Sequence, residues 1–165
     1  MGAVGGRGVL ARRPRRPRLG LRADATSGDR DPRDNTLQTF NPLFPSATAY
    51  SGSSGLVGAA NAISIAPSLR LTPRRGVTVA VDAALYWRQR STDGLYTVFV
   101  TPLRRSDTSA ARRVGLAPVV SVFWQADTHM SWTTAVSRFA PGPFLRESPP
   151  SEAVNYLTSF VAYRF

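Results

Sequence analysis

Apolar and polar residues alternate one by one over unusually long stretches of this chain, and a period of two restricts it to β-structure with two chemically different faces. Ile63, Ile65, Pro67, Leu69 and Leu71 alternate with Ser64, Ala66, Ser68, Arg70 and Thr72. A turn, Pro73-Arg74-Arg75-Gly76, follows. Val77, Val79, Val81, Ala83, Leu85 and Trp87 then alternate with Thr78, Ala80, Asp82, Ala84, Tyr86 and Arg88. The two stretches read as a long hairpin. Its second arm, about 14 residues, is far above the usual strand of about five or six.

The rest of the chain repeats this form. A strand is expected near Arg112–Gln125, with Leu116, Pro118, Val120, Val122 and Trp124 on one face. A tight turn, Ala126-Asp127-Thr128-His129, leads into a strand over Met130–Arg138, and a last strand runs to Phe165. A short first strand fits Arg18–Thr26, where Leu19, Leu21, Ala23 and Ala25 alternate with Gly20, Arg22, Asp24 and Thr26. Six strands result, joined alternately by tight turns and by long connections over residues 27–59, 91–110 and 140–151. Long strands with short turns at one end and long loops at the other are the sequence form of an outer-membrane β-barrel, so the expected fold class is all-β, an antiparallel transmembrane β-barrel segment. The apolar face meets lipid, the face with Asp82, Tyr86, Arg88 and Arg164 meets a wet lumen, and Trp87, Trp124 and Trp132 near strand ends suit an aromatic girdle. A soluble β-sandwich also alternates, but its strands are shorter and its loops less regular in length.

Composition narrows the chemistry. Among 165 residues there is no Cys, which excludes thiol nucleophiles, Cys-ligated zinc and iron–sulfur clusters. One His, His129, makes a His-based metal site or a Ser–His relay a poor prospect. Gly52-Ser53-Ser54-Gly55 is not a nucleophile elbow, because Leu56 stands where the second Gly belongs. Asp29, Asp31 and Asp34 lack the full pattern of a calcium loop and read as Asx turns. No enzyme activity, cofactor or metal is expected. The net charge of +11 invites a nucleic-acid partner, but its location argues otherwise. All 21 cations are Arg, and seven lie in the first 22 residues, where there is no acid. The chain therefore divides into a disordered basic leader, 1–17, and a mildly basic body, 18–165. The leader lacks an apolar stretch fit for a signal peptide and aromatics fit for base stacking. No nucleic-acid partner is expected.

The ending and the internal motifs together resemble the alginate export domain family of bacterial outer-membrane barrels. The carrying residues run from about Leu19 to Phe165: Ser27-Gly28-Asp29-Arg30-Asp31-Pro32, Leu37-Gln38-Thr39-Phe40-Asn41-Pro42-Leu43-Phe44-Pro45, Trp87-Arg88, Asp93-Gly94-Leu95-Tyr96, Arg112 with Val114-Gly115, Trp124-Gln125 with His129, Gly142-Pro143-Phe144-Leu145-Arg146-Glu147 and Tyr163-Arg164-Phe165. Any one motif is weak and the ordered series is strong; the leader matches nothing in the family. The resemblance implies a bacterial outer-membrane barrel whose Arg-rich lumen passes an anionic polysaccharide, alginate in the founding members. It also implies a last strand, with Val161, Tyr163 and Phe165, that is read by the outer-membrane assembly machinery. Expected partners are that machinery, outer-membrane lipid and an anionic polysaccharide or other anionic solute.

Six strands are fewer than the eight or so that a barrel needs, so the chain is expected to be the C-terminal part of a barrel, with its signal peptide lost by truncation or a misassigned start. The expected lumen set is Arg88, Arg90, Arg112, Arg113, Arg138 and Arg164, with Asp82 and Tyr86, since rings of Arg are a physical route to anion selectivity. The competing expectation is that these Arg pair with lumen acids or anchor headgroups at strand ends. Two other functions remain open at this point: a general small-molecule porin on the same scaffold, and a soluble basic β-domain that binds nucleic acid through its arm.

Overall fold

A computed structural model of the chain describes residues 17–44 and 56–165. The expected leader, 1–17, lies almost wholly outside the described residues. Eight strands appear: β1 (Arg18–Ala25), β2 (Ala62–Arg74), β3 (Val77–Arg88), β4 (Leu95–Tyr96), β5 (Pro102–Arg104), β6 (Arg113–Gln125), β7 (Met130–Pro141) and β8 (Val154–Tyr163). A short helix, α1 (Pro143–Arg146), follows β7. Six strands form one antiparallel sheet in the order β1-β2-β3-β6-β7-β8, and β4 and β5 pair separately. The six long strands are those expected from the alternation. The β4–β5 hairpin and α1 are not, because segments of two to four residues are too short to show a period.

The tight turns have clear local causes. Gly76 adopts φ +77°, open to glycine at little cost, and a Cβ there would lie 2.7 Å from the Gln125 carbonyl. At the other turn, Asp127 Oδ1 accepts from the backbone N–H of His129 (2.7 Å) and Met130 (2.8 Å), an Asx arrangement that closes the β6–β7 connection.

Register sorts the strands into two faces. Leu19 pairs with Leu69, Leu69 with Val81, Val81 with Val120, Val120 with Val136 and Val136 with Leu157. One aliphatic row thus crosses all six strands, and much of it is exposed, Leu157 at 73% and Val136 at 58%. A row this apolar and this open fits a hydrocarbon surround. The row one residue away is Gly20, Ser68, Asp82, Val119, Ser137 and Tyr156, which faces the concave side. Pro67 and Pro118 sit inside central strands, where a missing N–H normally excludes proline. The β2–β3 and β6–β7 ladders each skip a step beside them, yet the register is the same on either side.

Aromatic residues mark both ends of the outward face. Trp124 pairs with Trp132, whose Nε1 donates to Ser159 Oγ at 2.7 Å, and Tyr163 pairs with Met130. Trp87 lies at the loop end and pairs with Ile63. Trp124 pairs with Val77, ten residues from Trp87 along β3. That span is about 33 Å at about 3.3 Å per residue, and a tilt of about 40° reduces it to the apolar band of about 25 Å typical of these barrels. The sheet is open: among the described residues β1 and β8 are its edges.

Val120 lies midway along this band. Val120→Arg is expected to destabilise the lipid-inserted state by about 2–4 kcal/mol, while Ser121→Arg, one residue away on the concave side, costs under about 1 kcal/mol. Urea unfolding of vesicle-inserted protein, followed by tryptophan fluorescence, checks the difference.

Candidate functional site

Two regions of the concave side carry polar chemistry: a cap at the loop end and an open trough below it. The cap forms because the long connections fold back over the sheet. Val57, Leu95, Phe144 and Leu145 pack on Ala84, Tyr86, Val114, Ala117 and Phe139, which project from β3, β6 and β7. Gly142 allows this closeness, since a Cβ there would meet the Arg113 carbonyl at 2.7 Å.

Arg88 is the fully buried centre of the cap. Its Nη1 donates to the carbonyls of Ser91 (3.3 Å) and Asp93 (3.0 Å), its Nη2 to those of Ser109 (2.6 Å) and Ala111 (2.7 Å), and its Nε also to Ala111 (3.2 Å). The guanidinium carbon lies 3.8 Å from the centre of the Phe144 ring. A buried cation is costly unless its donors are met; here a planar fork answers four carbonyls and an aromatic face at once.

Asp93, also buried, is satisfied just as fully. Oδ2 accepts from the Asp29 N–H (2.8 Å) and the Thr39 hydroxyl (2.6 Å), and Oδ1 from the Gly94 N–H (2.7 Å) and the Tyr96 hydroxyl (2.6 Å). Burial and this bond to Asp93 push the Tyr96 phenol up to about 12. Asn61, at φ +50°, links the two halves of the cap: Nδ2 donates to the carbonyls of Arg90 (3.0 Å) and Gly94 (2.8 Å), and Oδ1 accepts from the Arg90 N–H (2.6 Å). Asn tolerates that left-handed backbone better than most residues. Asp29, Asp31 and Asp34 form successive Asx turns, each accepting from the N–H two residues on.

The trough is a concavity of about 420 Å³ lined by Arg22, Ala66, Ser68, Arg70, Asp82, Ala84, Tyr86, Ala117, Val119 and Ser121. Small residues on β2, β3 and β6 leave the space, and Arg22 and Arg70 bring cations into it. Arg22 Nε lies 3.1 Å from Asp24 Oδ2, which also accepts from Ser64 Oγ at 3.1 Å. Arg18 pairs with Arg70, so β1 and β2 present three guanidiniums to this side, against the two carboxylates of Asp24 and Asp82.

Of the expected lumen residues, Asp82 and Tyr86 line the trough. The six Arg do not form a ladder there. Arg88 faces the concave side but is sealed inside the cap. Arg90 is half-buried in the loop, where its backbone holds Asn61. Arg112 donates to the carbonyls of Arg88 (3.0 Å) and Gln89 (2.9 Å) and borders Ile63, Ile65 and Trp87 on the outward face. Arg113 pairs with Trp87, because a bulge opposite Tyr86 and Trp87 shifts the register by one residue. Arg138 shares a face with Val136 and is outward too. Arg164 lies past the end of β8 at the turn end, its N–H donating to the His129 carbonyl (2.8 Å) and its carbonyl 2.8 Å from His129 Nδ1.

Val161 and Tyr163 face outward, and Tyr163 contacts the rings of His129 (6.0 Å) and Phe165 (6.1 Å). His129 thus ties down the last strand in addition to sitting in a turn. Arg18, Arg22 and Arg70 were absent from the expected set. Parity with Gly20 and Asp24, and with Ser68 across the hairpin from Asp82, was the available signal.

A family model described as Alginate export matches residues 4–159 of the chain. The match takes in most of the Arg-rich arm, which lay outside the expected resemblance. No curated protein matches the chain. The motifs that carried the resemblance, among them Asp29, Thr39, Arg88, Asp93-Gly94-Leu95-Tyr96 and Phe144, converge in the cap.

Arg88→Met strips four buried carbonyls of their donor and is expected to lower stability by at least about 3 kcal/mol. Arg88→Lys recovers only part, since an ammonium lacks the fork. Limited proteolysis within residues 89–112, together with the unfolding midpoint, reads both. The raised pKa of Tyr96 means that the folded cap holds the neutral phenol. Its contribution to stability is complete below about pH 10 and is lost as pH rises toward about 12. Tyr96→Phe is expected to remove part of the late phenolate absorbance in an alkaline titration.

Proposed function

The chain belongs to the alginate export family, and from that premise we propose that its concave face lines part of a lumen conducting an anionic polysaccharide across the bacterial outer membrane. The observation that carries this is the pairing of opposites on one sheet: an aliphatic row across all six strands on one side and a polar, cation-bearing trough on the other. Arg22 and Arg70 supply the positive field, with Arg18 on the same side. Ser68, Ser121 and Tyr86 supply neutral hydrogen-bonding groups. A planar guanidinium grips a carboxylate with two bonds, yet exchanges one for the next as a uronate chain slides past. Asp24 and Asp82 moderate that grip, and passage requires binding weak enough to release.

No step in this function breaks or makes a covalent bond, so the conduit is passive and needs no cofactor. Among the described residues β1 and β8 are open edges, which supports reading the six strands as one sector of a larger barrel, because closure takes at least about eight strands and an open edge in hydrocarbon leaves backbone groups unsatisfied. Tyr163 and Phe165, with Val161 two residues before, give β8 and its flank an apolar, aromatic series suited to recognition by the assembly machinery.

Bilayer recordings from the assembled barrel test the lumen assignment. Arg22→Glu and Arg70→Glu are each expected to reduce the anion-to-cation permeability ratio by at least about fivefold, since one charge at contact distance in water is worth roughly 1 kcal/mol and each change reverses a charge. Arg113→Glu, on the outward face, is expected to leave the ratio unchanged. Cation preference in the parent protein, or equal effects from all three changes, contradicts the assignment.

A further inference from the structure

The outward face holds three guanidiniums that polysaccharide conduction does not use. Arg113 lies beside Trp87 through the bulge, and Arg138 lies on the level of Pro118, with Asn155 as its partner in β8. Arg112 borders Ile63, Ile65 and Trp87 in an open pocket of about 290 Å³. Its bonds to the Arg88 and Gln89 carbonyls use Nε and Nη2, which fixes the guanidinium plane and leaves Nη1 outside those bonds. Outward positions on the six strands hold no Asp or Glu. Cations on a lipid-facing band are costly without an anion, so here the anion must come from the membrane.

Depth selects which anion. Long loops of bacterial barrels face the cell exterior, so Arg112, Arg113 and Trp87 sit at the headgroup level of the outer leaflet. The outer leaflet of a bacterial outer membrane is built of a phosphorylated glycolipid. A phosphate matches the guanidinium fork, and the pocket walled by Ile63, Ile65 and Trp87 accepts the first carbons of an acyl chain. Trp87 stands where an amphipathic ring is most stable, at the boundary between the two. Arg138 lies two residues from Val136, the partner of Val120, and so stands near the middle of the band, away from this level.

We propose that Arg112 and Arg113, beside Trp87, form a binding site for the phosphorylated head of lipopolysaccharide. The proposal takes from the export reading only its membrane location. The site is distinct from the trough, because Arg22 and Arg70 lie on the opposite face of the sheet.

The test uses full-length protein inserted in phosphatidylcholine vesicles. Three lipids are titrated in: lipopolysaccharide, the same lipid with its phosphates removed enzymatically, and phosphatidylglycerol. Binding is read from Trp87 emission, isolated by difference from Trp87→Phe, and from lipid retained after detergent washing. Lipopolysaccharide is expected to bind about tenfold more tightly than either of the others. That preference is expected to vanish in Arg113→Gln, whose side chain takes no part in the cap bonds described above, and to persist in Arg138→Gln near mid-band and in Arg75→Gln at the turn end. Arg112→Gln, which also loosens the cap, is read only alongside Arg113→Gln. Equal binding of the dephosphorylated lipid, equal binding of phosphatidylglycerol, or an unchanged preference in Arg113→Gln overturns the proposal. Protein that inserts but shows no phosphate preference defeats this site alone; protein that inserts in no vesicle removes the membrane location, and both readings fall.

Discussion

Hydrocarbon offers a backbone no hydrogen-bond partner, and the rest of this structure follows from that lack. Each N–H and C=O in the spanning region must be met by a neighbouring strand. Among the described residues, six strands in antiparallel order meet most of the requirement, with open edges at β1 and β8 and gaps beside two prolines. The two mid-strand prolines show how strongly the ladder is held. Pro67 and Pro118 each interrupt a step, and the register on either side is unchanged. Once the ladder sets the register, period two sends every other side chain to lipid. The row from Leu19 to Leu157 is the consequence, as is the polar trough behind it.

Charge does different work at different depths. In the cap it works beside an apolar cluster that the long connections build over the sheet. Arg88 and Asp93 lie together there, yet they do not meet as an ion pair through their side chains. Arg88 takes the Asp93 backbone carbonyl, while the Asp93 carboxylate takes donors from Asp29, Thr39, Gly94 and Tyr96. Each buried charge thus gathers separate strands of loop, and between them they bind parts of all three long connections. In the trough the charges stand open, with space beside them for a passing anion. On the outward face Arg112 and Arg113 lie beside Trp87 at the loop end, while Arg138 lies nearer the middle of the strands.

Much of this was legible from residues. Alternation located all six long strands to within a few positions, and the contrast of turns and loops oriented the sheet. Parity puts Asp82 and Tyr86 on one face, and both line the trough. The Arg assignments fared differently, for reasons that can be named. Arg113 was inverted by a bulge, a one-residue shift that no local pattern announces. Arg88 has the expected facing, but a cap built from residues 20 to 60 positions away in the chain covers it. Arg138 has the parity of Trp132 and Val136, so its outward facing was readable. Arg22 and Arg70 were readable by parity too, but a connection of some 36 residues hides the register that brings β1 against β2.

The sequence by itself determined that the chain makes long two-faced strands, which face of each is apolar, and where the chain turns, because side-chain period and turn chemistry act over a few neighbouring residues. Tertiary structure decided which cations share a space. Arg22 from β1 and Arg70 from β2 meet at the trough, one guanidinium from β3 is locked under the loops, and three from around β6 and β7 look outward. Those groupings depend on strand register, on one bulge, and on loops folding back over the sheet. All three are fixed by contacts between distant parts of the chain, where the local pattern carries no information.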